Sequence, residues 1–95
     1  MPVVHFEVVW PDGKTEACYS PSSVIKEHFV EGEIYPLKDF LNISETALNA
    51  ASKRVGERFG FACSSAMDQL SVIKIRCASF ENMPDAAVKM TRFID

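Results

Sequence analysis

The chain has 95 residues, 47% of them hydrophobic, a formal net charge of −3 and an isoelectric point near 5.3. That length supports one small hydrophobic core in a single domain, 1–95, and makes self-association an expected source of added stability. Ten basic residues with no basic run lack the footprint of a nucleic-acid binder, and no apolar stretch approaches the roughly 20 residues of a membrane span.

Val4, Phe6, Val8 and Trp10 alternate with His5, Glu7 and Val9, which predicts a strand with one strongly apolar face. Pro11-Asp12-Gly13 suits a type I turn closed by a left-handed glycine, so Thr15 to Tyr19 should pair back as a hairpin. Ser20-Pro21 then reads as the cap and first residue of a short helix bearing Val24, Ile25 and Phe29 and ended by Gly32. Glu33-Ile34-Tyr35 is extended, because the residue before Pro36 is pushed out of the α region. Helical spacing restarts at Leu37, Phe40 and Leu41, and Asn42 and Ser44, both good caps, predict a kink or a separate short helix there.

The long helical hairpin follows. Leu48, Ala51, Val55 and Phe59 form one stripe, and Gly60 suits the left-handed C′ position. Ser65 and Asp68 make a Ser-x-x-Asp cap pattern. Ala66, Leu70, Ile73, Cys77 and Phe80 then repeat as a second stripe, so the two helices should pack antiparallel. Beyond a loop at 81–85, Val88 and Met90 alternate with Lys89 and Thr91. That leaves two readings of residues 81–95, a third strand joining the hairpin or a frayed tail. The fold class is α+β: an N-terminal β-hairpin packed against a short helix and a long antiparallel helical hairpin.

Three cysteines without a Cys-x-x-Cys argue against a disulfide framework or a zinc ribbon, and Met1-Pro2-Val3-Val4-His5 lacks a signal-peptide pattern. A cytoplasmic protein with free thiols is the plain reading. Trp10-Pro11-Asp12-Gly13, Cys18-Tyr19-Ser20-Pro21-Ser22, Tyr35-Pro36-Leu37, Ala51-Ser52-x-Arg54-Val55 and Gly60-Phe61-Ala62-Cys63-Ser64-x-Ala66-x-Asp68-Gln69-Leu70 carry a resemblance in this order. Over roughly residues 4 to 80 the chain resembles the small bacterial nitrogen-starvation-response proteins. Those are encoded beside a nitrilase in a cluster with a radical-SAM enzyme, an acetyltransferase and a flavoprotein. The resemblance implies a bacterial, cytoplasmic protein linked to nitrogen or nitrile metabolism, and it carries over no catalytic residue.

Candidate chemistry rests on a few side chains. Cys63, just before the Ser64-Ser65 start of a helix, faces backbone N–H donors that lower a thiol pKa, and it is the first candidate nucleophile, with Cys18 as a second. The plain alternative is a small hydrophobe at the hairpin corner, and Cys77 falls on the helix stripe as core. Ser64, Ser65, Asp68 and Gln69 are candidate binding residues at a helix N-terminus, where Asp68 would otherwise serve the cap alone. Cys18, Cys63 and His5 or His28 form a weighed Cys/His metal set, although no spacing matches a known ligand pattern, and no cofactor is implied.

The favoured function is therefore a non-enzymatic accessory or regulatory protein that forms a homo-oligomer and docks onto an enzyme of its pathway, with no nucleic-acid or membrane partner. It predicts an apolar patch left exposed around Val3 and Val9, or along Met67, Val72 and Ile75. The alternatives are a thiol-dependent enzyme or carrier acting on a small electrophile such as a nitrile, and a Cys/His metal binder.

Overall fold

The computed structural model describes the backbone of residues 3–59 and 64–94 and the side chains of residues 3–54 and 65–94. Strand β1, Val4–Val9, buries alternate residues, and β2, Thr15–Ser20, pairs with it antiparallel from Val4↔Ser20 to Val9↔Thr15. Between them Gly13 sits at φ 87°, the Trp10 N–H donates to the Lys14 carbonyl at 2.8 Å, and Asp12 accepts from the Lys14 N–H at 3.0 Å. This is the three-residue hairpin that Pro11-Asp12-Gly13 predicts.

The next segment departs from the expectation in its details. Ser20 is the last residue of β2, and its hydroxyl donates to the Ser22 carbonyl at 2.7 Å. The cap is Ser22, whose Oγ accepts from the Val24 N–H at 3.3 Å, and the element it starts is a 3-10 turn, Ser23–Glu27. Five residues are too few for an α-helix to repay its nucleation cost, so the turn is set by packing of Val24, Ile25 and Phe29 into the core. Gly32, at φ 82°, lies past that turn and donates to the Met90 carbonyl at 2.6 Å, leading into a short strand β3, Ile34–Pro36.

Helix α1 then runs unbroken over Leu37–Phe59. The predicted break at Asn42 to Ser44 does not occur. Phe40, Ser44, Ala47, Leu48 and Ala51 are all buried at helical spacing, so one continuous packed face outweighs two local capping preferences. Helix α2, Ser64–Ser79, starts one residue before the expected cap, which puts Ser65 inside the helix and Asp68 beyond its first turn. Leu37 and Leu41 share one cleft with Cys77 and Ala78, so the start of α1 meets the end of α2 and the helices are antiparallel.

The C-terminal segment is strand β4, Ala87–Ile94, not a frayed tail. It lies between β1 and β3 in an antiparallel sheet of order β2-β1-β4-β3, giving four strands where the hairpin and one further strand were expected. Glu7 pairs with Arg92 but Val8 with Met90, so Thr91 is the extra residue of a β-bulge. The bulge switches the alternation: Val88, Met90 and then Phe93 face the core, while Arg92 turns outward to Glu7 at 3.4 Å. Both helices cover one face of the sheet. The core joins Val4, Phe6, Val8 and Trp10 to Phe40, Leu48, Leu70 and Ile73. The architecture is a two-layer α+β domain.

Candidate functional site

The polar residues expected to bind a ligand come together with β2. Ser65, Asp68 and Gln69 line a shallow depression of about 380 Å³ with Tyr19 and Val72. Gln69, however, is already committed. The hairpin bond at Trp10 and the β1–β2 register make the even-numbered residues of β1 the hydrogen-bonded pairs, so the backbone of Thr15, Ala17 and Tyr19 points away from β1. Gln69 Oε1 accepts the outward Tyr19 N–H at 2.8 Å, blunting an edge that would otherwise template strand addition. The other edge is short and carries Pro36. Asp68 remains exposed, and the side chain of Ser64 lies outside the described residues.

The cysteines divide. Cys18 is fully buried on the core face of β2, and burial pushes its thiol up to about 12, assisted by the nearby Glu16 carboxylate. Burial likewise raises Cys77 to about 11, and its place in the core follows the helix stripe. Neither has the lowered pKa a nucleophile needs near neutral pH. Cys63 and Gly60 lie outside the described residues. His5 pairs with Tyr19 across the hairpin, its ring edge-on at 5.8 Å, on the sheet face opposite Cys18. Strand alternation thus separates two members of the proposed Cys/His set, and among the described residues no group of three or more His, Cys, Asp or Glu side chains converges on a metal position.

Two features escaped sequence reasoning because each joins residues far apart in the chain. Glu16 Oε1 accepts both Trp10 Nε1 at 2.8 Å and Arg76 Nε at 3.1 Å, so the buried indole finds its acceptor and the carboxylate its counter-ion. The larger feature is a cleft of about 500 Å³ between the start of α1, the end of α2 and the segment leading to β4. Leu37, Leu41, Cys77, Phe80 and Met83 supply apolar lining, and Lys38, Lys74, Glu81 and Asp85 supply charge. Asp85 holds φ at 56°, the one left-handed non-glycine among the described residues.

The uncovered face of the sheet is the remaining candidate. Alternation puts His5, Glu7, Val9, Tyr19, Lys89 and Arg92 there, together with Val3, Ile34 and Ile94, exposed by 43%, 60% and 37%. Val3 is exposed as expected, whereas Val9 is half-buried. Along α2, Ile75 is 65% exposed as expected, but Met67 and Val72 are half-buried and Met67 packs against the core.

Among the described residues no helix is long and apolar enough to cross a membrane. No curated protein and no solved structure matches the chain. The model of the family described as nitrogen starvation-induced protein NitG matches residues 5–93, which span all but the first residue of the hairpin, both helices and all but the end of β4. The chain belongs to the NitG family of nitrogen starvation-induced proteins.

Proposed function

We propose that this protein is a non-catalytic accessory or regulatory component of bacterial nitrogen and nitrile metabolism, cytoplasmic, acting by self-association and by docking onto an enzyme of its pathway. The family supports the link to nitrogen starvation. The observation that carries the docking part is the open sheet face. Two layers use only one face of the sheet for the core, and the other keeps Val3, Ile34 and Ile94 in water around the central Glu7–Arg92 pair. That arrangement suits a second copy. A two-fold axis through the pair sets each carboxylate near the other chain's guanidinium, with the apolar residues on either side. Both sheet edges are blunted, so association through the face is favoured over strand addition. The burial and raised pKa of Cys18 weigh against the paired-thiol alternative.

Native mass spectrometry of the wild type and of an Ile34→Glu/Ile94→Glu double variant tests this. The expected result is an oligomer that becomes monomeric in the variant, with circular dichroism retained because both positions are exposed and melting temperature lowered only by the lost association. A wild type that stays monomeric at about 0.1 mM and captures no enzyme of its pathway overturns the proposal.

A further inference from the structure

The cleft at the open end of the helical hairpin has no part in the docking reading and shares no lining residue with the open sheet face. We propose that it is a binding site for a small apolar zwitterion, a free α-amino acid with a branched or aromatic side chain. Its volume of about 500 Å³ falls within the usual range for small-molecule pockets. Leu37, Leu41, Phe80 and Met83 offer an apolar lining, and Met83 is 41% exposed, so that lining is accessible.

The charges are divided by element. Lys38 belongs to α1 and Lys74 to α2, whereas Glu81 and Asp85 belong to the segment after α2. None of the four forms an ion pair with another described residue, so the ammonium groups and carboxylates stay more than 4.0 Å apart across the cleft. Two ammonium groups and two carboxylates around one apolar cleft match an occupant that carries both a carboxylate and an ammonium. A purely anionic or purely cationic ligand would be attracted by one pair and repelled by the other.

The segment after α2 is also fixed in place. The Leu37 N–H donates to the Ala86 carbonyl at 3.0 Å and the Met83 N–H to the Phe80 carbonyl at 2.9 Å, tying the segment to the start of α1 and to its own turn. Within that frame Asp85 is held in the left-handed region, a conformation that costs energy for a residue with a Cβ and that recurs at ligand sites.

Amide chemical shifts in nitrogen-15-labelled protein, titrated with L-phenylalanine, 3-phenylpropanoate and phenethylamine, test the proposal. The expected result is saturable shifts at residues 37–41 and 74–86 with phenylalanine, and binding roughly fivefold or more weaker for the two singly charged analogues. Lys74→Gln and Asp85→Asn should each weaken phenylalanine binding roughly fivefold. Asparagine tolerates the left-handed backbone, so that variant stays folded. Lys89→Gln, on the open sheet face, should change nothing. Equal binding of all three ligands, indifference to both cleft substitutions, or no shift at about 10 mM phenylalanine overturns the inference and leaves the docking reading untouched.

Discussion

Glu16 links two of the elements that close the core. Its carboxylate serves an indole N–H whose residue is only 4% exposed and a guanidinium on α2, and the two roles differ in weight. A buried donor left without an acceptor loses its hydration outright, whereas the Arg76 side chain is 48% exposed. Glu16→Ala should therefore cost about 1–2 kcal/mol and Arg76→Ala no more than about 0.5 kcal/mol, with Glu16→Gln close to wild type. Urea unfolding of the three variants decides the order, and an equal loss in the two alanine variants refutes it. The thiols give a pH signature at the same scale. Both folded-state values lie above the ordinary 9.0, so the buried neutral thiols leave stability at its full value below pH 9. As pH rises the unfolded state ionises first, and stability falls through the window from 9.0 to about 12. Alkylation of native protein at pH 8 should spare Cys18 and Cys77. Rapid modification of Cys18 contradicts its burial.

At the level of elements, β4 reverses the usual expectation for a chain end. It pairs on both sides, with β1 and with β3, and buries Val88 and Met90 completely. Its amides should exchange among the slowest in the molecule and those of the outward edge of β2 among the fastest, apart from Tyr19, whose N–H is held by Gln69. Hydrogen exchange followed by mass spectrometry or NMR reads this directly. Fast exchange at residues 88–90 would restore the frayed-tail reading. The sequence showed the alternation in β4 and allowed that it joins the hairpin, but not which hairpin strand it meets nor its second partner, β3. Pairing of β4 with β1 joins residues 80 or more positions apart, as in His5↔Ile94, and no local pattern encodes that choice. The unbroken α1 has the same origin, since Asn42 and Ser44 are capping residues by chemistry and helix-interior residues by packing.

For the whole molecule the consequence is a single cooperative unit, because the hairpin, both helices and the C-terminal strand contribute to one core. Trp10 is the only tryptophan and lies against Phe40 of α1 and against Phe80, so its fluorescence reports on the same packing that far-ultraviolet circular dichroism reports as backbone. The two probes should unfold together. Leu70→Ala, at a side chain only 5% exposed, should shift both by roughly 2–5 kcal/mol. Separate transitions for the two probes, or wild-type stability in that variant, count against one core.

The sequence by itself determined the elements whose cause is local. The hairpin follows from alternation and Pro11-Asp12-Gly13, the second helix stripe and Leu48 and Ala51 of the first from their spacing, and the core positions of Trp10, Leu70 and Cys77 from the same periodicities, while the side chains of Val55 and Phe59 lie outside the described residues. It also placed exposed apolar residues at Val3 and Ile75. Only the tertiary structure decided what depends on long-range contact. It made β4 an inner strand, used Gln69 to cap the β2 edge, and separated Cys18 from His5 across the sheet. It also assembled a cleft from Lys38, Lys74 and Asp85. Residues so distant in sequence carry no shared period, and they meet because the antiparallel hairpin returns the end of α2 to the start of α1.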